Sequence, residues 1–263
     1  MKKDFDHIAT NYDVDFTLSE IGKKQRNSVY KYLEKLSNNL SVLELNCGTG
    51  EDAIWLSQKG NKVLATDISE KMIIVASKKA KGIENLDFQQ LDINKLNKLT
   101  NQKFDLVFSN FGGLNCLNHR ELKEFFKSVT NLLTKKGKLV LVIMPKNTLW
   151  EQLYFTLKGQ VKKGFRRNTH KSLAVNVAGL NVKTWYYNPK NIKELSSSNF
   201  KIVKTKPIGF FIPPSYLEPF FRSRPKFLAI LDTLEKWIGS FGFLSRFSDH
   251  YIIELQKESQ VNS

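Results

Sequence analysis

Two carboxylates and two glycines stand near the start of the chain in an order that could hold a nucleoside. Val42-Leu43-Glu44-Leu45-Asn46-Cys47-Gly48-Thr49-Gly50-Glu51-Asp52 reads as an apolar strand that ends in an acid and turns through two glycines into a helix. Glycine has no Cβ, so such a turn lets backbone N–H groups approach a ligand at the positive end of the helix. Lys62-Val63-Leu64-Ala65-Thr66-Asp67 is a second strand closing on an acid. Asp67 lies about twenty residues past the turn, where nucleoside folds keep the carboxylate that accepts from both ribose hydroxyls. A carboxylate suits that task because it only accepts. The turn reads Gly48-x-Gly50 and lacks the third glycine of the dinucleotide fingerprint, which weighs against an NAD enzyme, the nearest enzymatic competitor.

Other chemistry-bearing residues are fewer. The four histidines are His7, His119, His170 and His250. His119 falls at the carboxyl end of a strand and so nearest the expected site, while His250 precedes the last strand. Each also reads as a structural or solvated histidine, and no catalytic base stands out. No metal-ligating pattern is present. Cys47 and Cys116 do not make a disulfide framework and fit a reducing cytoplasm. Arg26 could meet a ligand carboxylate, but its helical setting favours a surface charge.

The elements that would position these groups alternate. Strands are expected at about 41–46, 62–67, 86–90, 104–110 and 138–144, with helices at 51–59, 70–80 and 119–133 between them. Near-continuous apolar strands separated by helices imply a parallel sheet buried on both faces. Ser19 and Ser69 suit helix N-caps, the first opening a helix to about Ser37. Beyond Pro145 come a helical stripe, a basic cluster and a hairpin pairing 172–177 with 182–187. A helix to about Ser198, a strand from Lys201 to about Ile208 and a strand over Tyr251–Leu255 follow. The last two strands are separated by an aromatic excursion, 209–248, in which Phe227, Ile230, Leu231, Leu234, Trp237, Ile238 and Phe241 keep helical spacing. That helix either packs on the main body or caps an apolar pocket, with a membrane surface as a further partner.

Four segments in order carry a family resemblance. Glu44-Leu45-Asn46-Cys47-Gly48-Thr49-Gly50 resembles motif I of the class I S-adenosylmethionine-dependent methyltransferases. Ala65-Thr66-Asp67-Ile68-Ser69 with Met72, then Leu91-Asp92-Ile93, then Phe104-Asp105-Leu106-Val107-Phe108-Ser109-Asn110 resemble the three segments that follow it. Phe5-Asp6-His7-Ile8-Ala9 with Tyr12-Asp13 is similar to the N-terminal lid of the type 11 small-molecule methyltransferases of ubiquinone and menaquinone biosynthesis. The resemblance implies a Rossmann-like α/β fold. Its sheet would have seven mostly parallel strands, the last antiparallel, helices on both faces and cap insertions. It implies S-adenosyl-L-methionine as cofactor and a set of residues to hold it. Glu44, Asn46, Gly48 and Gly50 would serve the methionine end and turn, and Asp67 the ribose. Ile68, Met72, Asp92 and Ile93 would take the adenine, Asn110 and Phe111 the methionine side, and Tyr12 would close over the ligand. Asn46 replaces the glycine more usual at its position. Tyr12 and His119 are the weak catalytic candidates. Ser109-Asn110-Phe111-Gly112 lacks the paired prolines of nucleotide-base amino-methyltransferases.

The bulk numbers bound the rest. With 263 residues, 41% of them hydrophobic, the chain can bury one α/β domain with embellishments. Its net charge is +16. Residues 1–100 hold 15 basic and 14 acidic side chains; residues 101–263 hold 26 and 11, a net of +15. Such a surplus suits an anionic membrane, an acidic substrate or nucleic acid, as well as a solvated surface. The N-terminus does not read as a signal peptide, and no run is long enough to span a bilayer. The expected organisation is a lid and helix over 1–38, a cofactor-binding core over 39–146, a basic insertion over 147–187 and a C-terminal part over 188–258. The leading expectation is a cytoplasmic methyltransferase, peripheral at the inner membrane face, acting on a small lipophilic acceptor. The alternative is an RNA- or membrane-binding module with a vestigial cofactor site. Oligomeric state is not legible.

Overall fold

The computed structural model describes residues 6, 9, 13, 18–36, 38–99, 101–177 and 179–258. The predicted lid, including Tyr12 and His7, lies mostly outside them.

Strand β1 (Ser41–Leu45) is the third strand of a seven-stranded sheet of order β3-β2-β1-β4-β5-β9-β8. Its neighbours β2 (Lys62–Asp67) and β4 (Phe104–Ser109) run parallel to it, Leu43 lying opposite Leu64 on one side and Val107 on the other. β3 (Leu86–Gln90) and β5 (Leu133–Ile143) extend the parallel set outward. β9 (His250–Lys257) inserts antiparallel between β5 and β8 (Phe200–Ile208). The expected Rossmann-like topology with a reversed last strand is therefore present.

The strand sequences explain why the sheet is covered on both sides. Side chains alternate across a strand, so a strand apolar at nearly every position needs a core on each face. Leu43, Leu45, Val107, Leu139 and Leu141 join one core with α4 (His119–Thr130), through Leu122, Phe125, Phe126 and Val129. Val42, Val63, Leu106, Phe108 and Val140 join the other, with Val29, Tyr32 and Leu33 of α1 (Glu20–Leu33) and with Ala53 and Leu56 of α2 (Glu51–Gln58).

Helix ends follow local chemistry. Ser19 caps α1 by accepting from the Gly22 N–H at 3.0 Å. Ser69 caps α3 (Glu70–Lys79) by accepting from Met72 N–H. Asn118 and Glu121 form a reciprocal capping box at α4. That helix ends three residues earlier than its apolar spacing predicts. Leu132 and Leu133 stay buried, but Leu133 already pairs with Phe104, so the strand captures them. Lys135 and Lys136 then lie in an irregularity that shifts the β4–β5 register.

Two embellishments complete the body. After the short helices α5 (Leu149–Leu157) and α6 (Val161–Gly164) comes a hairpin of β6 (Leu173–Val177) and β7 (Leu180–Thr184), tighter than expected. Trp185 to Tyr187 leave the hairpin and bond to the main body instead. Trp185 N–H donates to Asn115 O and Tyr187 N–H to Met144 O. The side chain of Asn115 fastens the same junction, donating to Trp185 O at 2.6 Å and accepting from Met144 N–H at 2.9 Å. Helix α7 (Pro189–Ser196) then leads into β8.

The aromatic excursion folds into α8 (Glu218–Arg222), α9 (Pro225–Ile238) and short turns. It has its own small core of Ile21, Ile212, Phe221, Leu228 and Leu231. Glu218 reaches across to accept from Glu20 and Ile21 N–H groups, holding the start of α1. So α9 packs on the main body and, among the described residues, does not wall the large cavity.

Candidate functional site

The turn after β1 is built from left-handed backbone. Asn46 (φ 57°), Gly48 (φ 53°) and Gly50 (φ 80°) all adopt it within five residues. Asparagine tolerates this conformation better than most residues with a side chain. Its amide also donates to Ser109 Oγ at 3.3 Å, tying the ends of β1 and β4 together. Gly50 is required for a different reason. A Cβ there would sit 2.8 Å from Ala76 Cβ and 3.0 Å from the Phe88 ring, so its bareness lets α3 and β3 close on the turn.

Asp67 ends β2 facing that turn. One carboxylate oxygen accepts from Gly48 N–H at 3.0 Å and the other from Ser69 N–H at 2.9 Å. Burial raises its pKa, and those backbone donors offset part of the rise. A carboxylate has about four acceptor positions, so two remain for a ligand.

These ends open into a cavity of about 330 Å³ at the carboxyl edge of the parallel strands. That is where ligands bind in open α/β sheets. Asn46, Gly48, Asp67, Ile68, Met72, Asp92, Ile93, Asn110 and Phe111 all line it. Glu44 and Gly50 do not: Glu44 lies buried beneath the floor, and Gly50 packs behind it. Glu44 Oε2 finds no hydrogen-bond partner among the described residues. Burial and then the neighbouring Asp52 charge push its pKa well up, with Arg26 working in the opposite direction.

The charge of the wall runs opposite to the charge of the molecule. Glu51, Asp52, Asp67, Asp92 and Asp249 line the cavity, against Arg26 and His250 as the basic residues among the described lining. The chain as a whole carries +16. A cavity so lined favours a cationic ligand and disfavours the pyrophosphate of a dinucleotide.

Arg26 overturns its expected place on the helix surface. Its side chain is 15% exposed, and Nε pairs with Asp52 Oδ1 at 3.0 Å. Its guanidinium lies 5.6 Å from the Phe111 ring centroid. Asp52 also accepts from Tyr30 OH at 2.8 Å and from Asn110 Nδ2 at 2.9 Å. Helix α1, helix α2 and the end of β4 therefore meet at one carboxylate.

Beyond the Phe111 ring that Arg26 contacts, a buried chain of charges begins. His250 lines the wall, with its Nδ1 3.2 Å from Asp249 Oδ2 and its ring edge-on to Phe111. Asp249 Oδ1 pairs with Arg167 at 3.1 Å, and Gln25 donates to Oδ2 at 3.3 Å. Arg167 in turn meets the fully buried Glu151 at 2.8 Å. Burial alone would raise the Asp249 pKa, but His250 and Arg167 hold it well below the carboxylate range. Val175, Val177, Val182 and Thr184 of the β6–β7 hairpin add a largely apolar wall, Val177 packing toward Met72.

His119 is elsewhere. It starts α4 beside Tyr187 and His170, outside the cavity lining, and burial lowers its pKa. The groups that sequence reasoning missed are Asp52, Asp249 and the hairpin wall. Asp52 had a signal, since it stands in the first turn of the helix that follows the glycines.

Part of the chain is similar in sequence to known proteins. Residues 42–137 match the family model described as a methyltransferase domain. The "Putative methyltransferase YqeM" of Bacillus subtilis is 36% identical over 100 residues, 38% of this chain and 40% of that protein. The demethylmenaquinone methyltransferase of Clavibacter sepedonicus is 29% identical over 119 residues, 44% of this chain and 48% of that one. The chain thus spans less than half the length of either relative. Among solved structures, the magnesium protoporphyrin IX methyltransferase of Synechocystis PCC 6803 with bound SAH superposes with a TM-score of 0.57 at 18% identity, covering 93% of this chain and 86% of that one. The resemblance to class I methyltransferases carried by the four motifs is borne out by these matches.

Proposed function

We propose that the cavity binds S-adenosylmethionine and that the chain is a methyltransferase acting on a small, lipophilic acceptor such as a quinone, phenol or lipid-like molecule. The observation that carries this is the acidic cavity at the ends of β1, β2 and β4 in a strongly basic chain. The bound cofactor supplies a methyl group made electrophilic by a sulfonium cation. The chain's own residues do the rest. Asp67 offers its two remaining acceptor positions to the ribose hydroxyls. Ile68, Met72 and Ile93 give the adenine an apolar slot, and Asp92 accepts from its amino group. The Arg26–Asp52 pair, with the orphaned Glu44 oxygen beneath, presents both signs of charge to the amino-acid end. Tyr12, outside the described residues, belongs to this reading as the closing lid.

The acceptor enters against Phe111, His250 and the valines of the hairpin. Methyl transfer needs in-line positioning, and a base only where the acceptor loses a proton. His250 can take that proton, because Asp249 faces its Nδ1 and leaves Nε2 as the basic nitrogen. An apolar acceptor partitions into lipid, so a peripheral position at the anionic inner face of the cytoplasmic membrane belongs to the same reading. No helix among the described residues is long and apolar enough to cross a membrane.

Isothermal calorimetry tests the cofactor part. Wild-type protein is expected to bind S-adenosylmethionine, and Asp67→Ala to weaken it on the order of 10²- to 10⁴-fold, the value of two hydrogen bonds to a charged group. Absence of binding by the wild type, or unchanged affinity in the variant, overturns the proposal.

A further inference from the structure

Helix α9 is only half used by the fold. Leu228, Leu231 and Glu235 face inward. Glu235 is the anchor, accepting from the N–H groups of Gly209, Phe210, Phe211 and Ile212. The flank that adjoins this buried face carries Phe227, Ile230 and Trp237, all exposed, Trp237 by 72%. At 100° per residue these three lie within one quarter of the helix circumference. Phe220 continues the stripe at one end, its neighbour Phe221 stacking on Phe227 at 5.6 Å. Phe241 and Phe243, 6.1 Å apart and exposed, continue it at the other. An apolar stripe of this length on a chain surface marks an interaction site.

The charges around it identify the partner. Arg222, Arg224, Lys226 and Arg246 are exposed beside the stripe, together with Lys236, which Asp232 partly neutralises. The acids of 209–248 are Glu218, Asp232 and Glu235, and each is engaged by this chain: Glu218 at the start of α1, Asp232 with Lys24 and Lys236, Glu235 at the turn after β8. The exposed rim is therefore positive. Arg224 lies over the Phe220 ring with its guanidinium carbon 4.0 Å from the centroid, an aromatic body with a cation at its edge. Helices α5 and α6 repeat the composition, with Leu153, Leu157 and Val161 exposed among Lys158, Lys162 and Lys163. Tyr154 of α5 contacts Tyr216, just before α8, at 5.8 Å. A second copy of this chain would bring the same positive rim against itself, which is unfavourable.

We propose that the exposed stripe of α9, with Phe220, Phe241 and Phe243, docks on an anionic lipid bilayer surface. This names the surface for the membrane part of the preceding reading and rests on that reading only for the choice of lipid. Helix α9 lies in the plane of the interface, its aromatic side chains entering the headgroup boundary and its lysines and the flanking arginines meeting lipid phosphates. Its 14 residues span about 21 Å, too short to cross a bilayer.

Vesicle co-sedimentation tests it without any methyl acceptor. The full chain is mixed with vesicles of phosphatidylglycerol and phosphatidylcholine, and separately with phosphatidylcholine alone. Retention on the anionic vesicles is expected to exceed that on neutral ones by about tenfold or more at low salt and to fall as salt rises. Trp237→Ser with Phe243→Ser, both at exposed positions, is expected to reduce retention by about tenfold or more with S-adenosylmethionine affinity unchanged. The blue shift of tryptophan emission on adding anionic vesicles is expected to vanish in Trp237→Phe. Three results overturn the proposal: no preference for anionic vesicles, full retention of the double variant, or a wild-type dimer in sedimentation that Trp237→Ser dissolves. Calorimetry with S-adenosylmethionine is independent of all three, so a failed cofactor reading and a failed docking surface are separately visible.

Discussion

At the scale of single residues, the site depends on carboxylates whose surroundings differ. Asp67 keeps two acceptor positions toward the cavity because backbone N–H groups occupy the others. Asp249 is committed to Arg167, Gln25 and His250. The expected consequence is a division of labour that kinetics can read. His250→Gln keeps cofactor affinity in calorimetry but slows transfer to a phenolic acceptor by about 10²-fold, the usual value of a general base. The loss shrinks as pH approaches the phenol's own pKa; a loss independent of pH assigns His250 to packing alone. Residue-level legibility followed sequence distance. Ser69 is readable as a cap because its partner is three residues away. The setting of Asp249 is not, because Arg167 stands 82 residues before it and only the fold brings them together. Arg26 was misplaced for the same reason. Helical spacing gives the direction of a side chain but not what faces it, and Asp52 faces it from another helix.

At the scale of elements, the parallel strands were readable because burial on both faces leaves near-continuous apolar runs. The cap was not. The aromatic spacing from Phe227 to Phe241 marks a helix, which ends at Ile238 before the last of these residues, yet spacing carries no information about which partner covers the apolar side. The hairpin β6–β7, with its unremarkable alternation, supplies the cavity wall instead. Its position depends on Asn115, which ties Trp185 and Met144 to the end of β4. Val182→Asp on this wall is expected to leave S-adenosylmethionine affinity within about twofold. Turnover of an apolar acceptor is expected to fall at least tenfold, the cost of facing it with an unpaired charge. Steady-state kinetics beside calorimetry on the same variant separates the two effects.

At the scale of the whole molecule, buried charge links distant parts of the chain. Glu151, Arg167 and Asp249 join α5, the basic insertion and the start of β9. The folded state holds Asp249 ionised well below its ordinary pKa, despite burial, chiefly through His250 and Arg167. An acid depressed in this way contributes stability that is fully present above the unfolded value of about 3.9. The contribution is lost as pH falls toward the folded value. Arg167→Met removes the cation that Glu151 and Asp249 share, leaving Glu151 to Arg166 and Asp249 to His250 and Gln25, and urea unfolding at neutral pH is expected to show a loss of about 3 kcal/mol, the low end for breaking a buried pair. The deficit should narrow as pH drops through the carboxylate range, because protonation relieves the acids of the charge that Arg167 no longer balances. A constant deficit from neutral to acid pH refutes the electrostatic account.

The position of β9 has a consequence for how the chain is made. It is the last strand in sequence, yet it occupies an interior place between β5 and β8. While the ribosome is still translating the excursion, β1 to β5 can pair among themselves, but β5 keeps an open edge and β8 has no neighbour to join. An unpaired edge of Leu139-Val140-Leu141-Val142-Ile143 is a template for the wrong strand, including that of another nascent chain. His250 and Asp249 arrive with the strand that closes this gap. The acceptor side of the cavity is therefore assembled in the same late event that removes the risk of misassembly.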